Sequence, residues 1–206
     1  MVLKTGDVLL FSEQPSSCCM YSFDSLIKCC TCSKYSHAAL VVVDPPWAPE
    51  LKGTFVWESS WHGVPDPQDH IVKFGVQLTP LEFYTHHYPG SVRIFYRSPV
   101  SSDTRKLFSD SALKALHKRV YKHSYDTRIC DWCSALFRCR RRSQAQVFTC
   151  SAFVSFVLTE LGVLAKNTAW TAISAAELSC TNTKYPQWQC QYTEDKQISD
   201  VANPMV

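Results

Sequence analysis

Two β-branched runs separated by a proline-rich turn constrain this chain more than any other feature. "SHAALVVVD", Ser36 to Asp44, has the length and composition of a strand, and the prolines of "DPPWAPELKG" stop it. "GTFVWESS", Gly53 to Ser60, resumes as a second strand, so the pair reads as an antiparallel hairpin with a long loop. With Val43 set opposite Thr54, His37 stands across from Ser60 and Glu58 is its diagonal neighbour on the same face, roughly 7–8 Å away backbone to backbone. A slip of one residue would send Glu58 to the other face. A histidine alone in such a strand is ordinarily a satisfied core residue. A carboxylate flanked by Phe55, Val56 and Trp57 needs a partner, however, and an imidazole supplies one.

A second constraint is "VFTCSAFVSFVLTELGVL", Val147 to Leu164. Phe153, Val154, Val157, Leu158 and Leu161 follow Cys150 at three, four, seven, eight and eleven residues, the one-face period of an amphipathic helix. Thr149 as N-cap and Gly162 as C-cap predict a helix from Cys150 to Leu161 with the sulfur in its first turn. Unpaired N–H groups and the positive end of the helix dipole favour a thiolate there, the form that attacks carbonyl carbon. Eleven cysteines are present, and most cysteines are packing material, so Cys150 is a core residue unless a base stands beside it.

The 206 residues suit a single domain, 1–206, and a net charge of +3 carries no implication of nucleic-acid binding. "GDVLLFSE", "HIVKFGVQLTP" and "SVRIFYRSP" are further strand candidates; Lys73 and Gln77 interrupt the second. "SDTRKLFSDSALKALHKRVYKHS" has a helical pattern through Leu107, Leu113, Leu116 and Val120. From Asn167 onward the chain is turn-rich, with a short helix expected at "AISAAEL" and a loosely ordered C-terminal tail. Strands early and helices late predict an α+β architecture, an antiparallel sheet or barrel packed against helices. The start of the chain lacks the basic and apolar regions of a signal peptide, and no run approaches a membrane span, which predicts a cytoplasmic protein with reduced thiols.

Taken together, "TGDVLLF", "YSHAALVV", "FVWESSWHGV", the "YD" of Tyr125 and Asp126, and "FTCSAFVSFVL" resemble the circularly permuted branch of the NlpC-type papain-like cysteine hydrolase superfamily. The YiiX-like group of bacteria and large DNA viruses is the nearer relation; lecithin retinol acyltransferase-like proteins are more distant. The resemblance covers about residues 5 to 178 and implies a permuted papain-like fold with the histidine strands ahead of the cysteine helix. It implies Cys150 as nucleophile, His37 as general base and acid, and Glu58 as the group orienting the imidazole. The Cys150 N–H would serve the oxyanion hole, and Tyr125 and Asp126 would shape the substrate site. The acyltransferase relatives carry a histidine where Glu58 stands, so their lipid chemistry does not transfer directly. The implied activity is a thiol hydrolase or acyltransferase cleaving an amide or ester through a Cys150 thioester, without metal or cofactor. Its partners would be an acyl, peptide or lipid substrate, and the alternatives are a lipid acyl hydrolase or acyltransferase working at a membrane and a binding protein that kept the fold without the chemistry.

Two cysteine-rich insertions, at about 14–34 and 127–147, exceed the needs of such a fold. The first holds Cys18, Cys19, Cys29, Cys30 and Cys32; the second holds Cys130, Cys133 and Cys139 with Arg138 and Arg140 to Arg142. Three explanations stand open. Cys130 and Cys133 have the spacing of half a zinc site, with no second pair to complete it. Trp132, Leu136 and Phe137 beside the arginines and acylated cysteines would make a rim facing an anionic membrane surface, placing the protein peripherally on it. Mobile loops of reduced thiols need no function at all. His86 and His87 are expected in a loop, and His62, in the turn after Glu58, is an alternative base.

Overall fold

The computed structural model describes residues 2–13, 34–87, 92–125, 147–180 and 186–198. The cysteine-rich insertions, apart from Lys34 and Val147, and the last eight residues lie outside the described residues, and with them the zinc, acylation and membrane-rim readings of those loops.

The chain is a mixed α+β protein built on a curled sheet of eight strands among the described residues. In chain order these are β1 (Val8–Glu13), β2 (His37–Val43), β3 (Thr54–Ser60), β4 (Gly75–Pro80), β5 (Val92–Arg97), β6 (Ser124–Tyr125), β7 (Val147–Phe148) and β8 (Lys196–Gln197). Their order across the sheet is β7-β6-β4-β3-β2-β1-β5-β8, antiparallel throughout except for β6 and β7. The helices are α1 (Leu81–His87), α2 (Ser102–Lys106), α3 (Asp110–Val120) and α4 (Cys150–Glu160), followed by 3-10 turns at Trp170–Ala172 and Ala175–Leu178.

The hairpin has the expected register: Val43 pairs with Thr54, and the ladder continues to Leu40 opposite Trp57. Alternation then divides the apolar residues between two cores. Val8, Leu10, Leu40, Val42, Phe55, Trp57, Val76 and Leu78 face α3 and α4. Leu9, Phe11, Ala39, Val41 and Val56 face the other way, where Tyr84 of α1 covers them. His37 and Glu58 belong by parity to this second face, away from α4.

Helix α4 begins and ends where its caps dictate. The Thr149 side chain accepts from the Ala152 N–H at 3.3 Å. At the other end Gly162 takes φ +77°, and its N–H and that of Val163 bond back to Thr159 and Leu158, a Schellman closure. Every residue from Cys150 to Thr159 is buried, which corrects the expected amphipathic helix to one covered on all sides. The sheet packs on part of it, and the 3-10 turns with Trp170 and Ile173 cover more.

Other differences are local. The single helical pattern after residue 101 is two helices, each preceded by a serine, Ser101 and Ser109; Leu107 caps the first, while Leu113, Leu116 and Val120 fill the core from the second. His86 and His87 belong to the backbone of α1 rather than to a loop, because Leu81, Phe83 and Tyr84 give that segment an apolar side to dock. The expected short helix at "AISAAEL" is the pair of 3-10 turns. Within the described part of the tail, 186–198, β8 pairs with β5 and Trp188 bridges Leu164. No helix among the described residues is long and apolar enough to cross a membrane.

Candidate active site

The β2–β3 ladder stops at Leu40–Trp57, short of the strand ends. Val41 donates its N–H to Asp7 on the β1 side, so by alternation Ala38 directs its own N–H toward β3, where the pairing of the two strands has ended. The N-terminus of α4 occupies that place. Ala38 and Ser151 both turn their N–H groups to the Cys150 sulfur, and the His37 side chain hydrogen-bonds it as well. The break in the ladder therefore lets a cysteine on one face of the sheet meet a histidine on the other.

His37 binds two partners at once. Its Nε2 lies 2.5 Å from Glu58 Oε2, which leaves Nδ1 for the sulfur. The ring packs on Phe11, its cross-strand neighbour, with centroids 5.1 Å apart. Glu58 is fully buried, and its carboxylate also accepts from Tyr84 Oη at 2.6 and 2.7 Å and from His62 Nε2 at 3.1 Å. His62 Nε2 sits 2.9 Å from Tyr84 Oη and 3.1 Å from Ser60 Oγ. Gln77, paired with Glu58 across β3 and β4, donates to Ser60 Oγ at 2.7 Å.

The electrostatics follow from these contacts. Burial alone would lift the Glu58 carboxyl, but hydrogen bonds from His37 and His62 hold it well below the usual carboxylate range. Burial alone would lower His37; the negative sulfur of Cys150 and the Glu58 carboxylate raise it instead to about 10. For Cys150 burial pushes upward, and the His37 charge, its hydrogen bond and the two backbone N–H groups bring the thiol below its ordinary value. Together these shifts favour a thiolate at Cys150 beside an imidazolium backed by a carboxylate. This arrangement can attack an electrophilic carbon and hand a proton to a departing group.

Cys150, His37 and Glu58 are thus brought together. Tyr125 lies close by: β6 pairs with β7 so that Tyr125 stands opposite Phe148, two residues before Cys150, and its ring stacks on Phe74 at 4.9 Å. Asp126, Cys130 and Cys133 lie outside the described residues. His62 touches Glu58 rather than standing apart as a rival base. Sequence reasoning missed Tyr84 and Ser60, and read Gln77 only as a polar interruption of a strand, the one signal that it faced something polar. Among the described residues no group of three or more His, Cys, Asp or Glu side chains is disposed to hold a metal ion.

Beside this end of the sheet, Trp61 is 65 % exposed, and Ile71, Val72 and Phe74 are about half exposed. Trp61 follows Ser60 and Phe74 precedes Gly75, the last pair of the β3–β4 ladder, so the two aromatics flank the same strand ends. No known protein-family profile matches the chain, and no curated protein matches it in sequence.

Proposed function

We propose that this chain is a cysteine-dependent hydrolase or acyltransferase with a circularly permuted papain-like fold, akin to the YiiX-like group. The observation that carries the reading is one imidazole, His37, placed between the Cys150 sulfur and a buried carboxylate, Glu58. Cys150 attacks the carbonyl carbon of an amide or ester, forming the C–S bond as the carbonyl becomes an oxyanion. The Cys150 N–H at the start of α4 supplies one donor to that oxygen. His37 gives its proton to the departing amine or alcohol as the C–N or C–O bond breaks, leaving a thioester. Water or a second acceptor then loses a proton to His37, attacks the thioester and frees Cys150. No step draws on a metal or an organic cofactor.

The test is alkylation with iodoacetamide at mildly acidic pH, mapped to peptides, in the wild type, His37→Ala and Glu58→Ala. Selective labelling of Cys150 that slows in both variants supports the reading. A silent Cys150, with label spread over the remaining cysteines, would reduce the chain to a binding protein on this fold.

A second reading, an acyl-lipid enzyme working peripherally at the cytoplasmic face of a membrane, is favoured by the exposed Trp61, Ile71, Val72 and Phe74 beside the site. Turnover of an acyl ester that rises when anionic vesicles carry it would favour this reading over a soluble amidase.

A further inference from the structure

The Glu58 carboxylate serves two imidazoles, and only one of them meets the sulfur. We propose that His62 is a positioning residue of this site: it shares Glu58 with His37 and so limits how tightly the carboxylate holds the His37 proton. The inference rests on the functional reading above.

Proton bookkeeping at the carboxylate assigns the roles. Glu58 is ionised and can only accept. Tyr84 Oη, within 2.7 Å of both carboxylate oxygens, gives it its one proton. His62 Nε2 lies 3.1 Å from Oε1 and 2.9 Å from Tyr84 Oη, two oxygens facing it as acceptors once the tyrosine proton is committed. A bare nitrogen lone pair there would oppose the carboxylate charge, so Nε2 carries a proton and donates. Ser60 Oγ, which accepts from the Gln77 amide, lies 3.1 Å from the same nitrogen, and the Phe83 ring packs against the imidazole at 5.0 Å.

Among the described residues the charged and titratable groups that face the pair come from α4, β3 and α1. His37 faces Cys150 from α4 and Glu58 from β3, with the Phe11 ring from β1; His62 faces Glu58 from β3 and Tyr84 from α1. Glu58 is therefore the charged group common to both histidines. Each donor on Oε1 draws charge from the carboxylate and leaves less for His37. An imidazolium held too tightly is a poor acid for the departing group, and the second histidine relieves that grip.

The experiment follows His37 by NMR titration and Cys150 by the pH profile of its alkylation, in the wild type, His62→Leu and His62→Gln. His62→Leu removes the donor and is expected to move the His37 midpoint upward by about half a unit or more, with the alkaline inflection of Cys150 alkylation, which reports the same imidazolium, moving up with it. His62→Gln, which offers an amide N–H, is expected to stay near the wild type. Unmoved midpoints in folded His62→Leu would overturn the proposal and leave His62 a packing residue. If that variant does not fold, the nitrogen-15 shifts of His62 in the wild type decide: a protonated Nε2 supports the proposal and an unprotonated one overturns it. A Cys150 that is unreactive in the wild type would sink the enzymatic reading itself. A reactive Cys150 that depends on His37 and Glu58 but not on His62 would sink only this inference.

Discussion

At the residue scale the site couples three ionisations, and replacing the sulfur separates them. In Cys150→Ser the negative sulfur is gone while burial remains, so the His37 midpoint is expected to fall clearly from about 10, as NMR titration of the ring would record. Stability responds with opposite signs. His37, raised in the fold, contributes fully below its ordinary 6.5 and loses that contribution as pH rises toward 10. Glu58, lowered in the fold, contributes above the usual carboxylate range and loses it as pH falls below. Cys150, His37 and Glu58 were legible in the sequence because each is a reactive or polar residue set at a position that its pattern reserves for an apolar one. Tyr84 was not, since a tyrosine on the apolar side of a short helix looks like core, and Ser60 and His62 look like the polar end of a strand and its turn.

At the element scale the decisive piece is the junction of β4, β6 and β7, which presents the start of α4. Gly75 sits at φ +149°, and a Cβ there would lie 2.2 Å from the His123 carbonyl oxygen and 2.8 Å from Ser124 Cα. Only a glycine lets β6 approach closely enough for the Val76 N–H to reach the His123 carbonyl and the Tyr125 N–H the Phe74 carbonyl. Gly75→Ala is therefore expected to cost about 2–3 kcal/mol in urea unfolding and to slow Cys150 alkylation, because β7 leads directly into Thr149 and Cys150. Equal loss of stability with unchanged alkylation would show that the junction does not aim the sulfur. The hairpin and α4 were readable from periodicity and caps. Strands of two residues such as β6 and β7 carry no period to read, and α1 is too short for its apolar side to stand out.

At the scale of the whole molecule the chain end straps the sheet. The Arg97 guanidinium is buried; it donates to the Leu178 and Thr193 carbonyls and lies against the Trp188 ring at 4.7 Å. Asp195, 3.7 Å away, also accepts from Tyr35 Oη at 2.6 Å and from the Cys180 N–H at 2.9 Å. Arg97→Leu is expected to destabilise by about 3–5 kcal/mol, since it strands a buried carboxylate, and Arg97→Leu with Asp195→Leu to recover part of the loss in the same denaturant titration. This clasp was invisible in the sequence because its members are up to 160 residues apart and its acid lies in a stretch that reads as loose tail. The interrupted β2–β3 ladder has a further consequence at this scale. A strand with an unpaired edge is a template for pairing with another chain, and here the first turn of α4 stoppers it. The same Ala38 amide that bonds the Cys150 sulfur thus keeps the centre of the sheet from recruiting a neighbour, so any event that lifts α4 away would expose an aggregation-prone edge at the moment it parted Cys150 from His37.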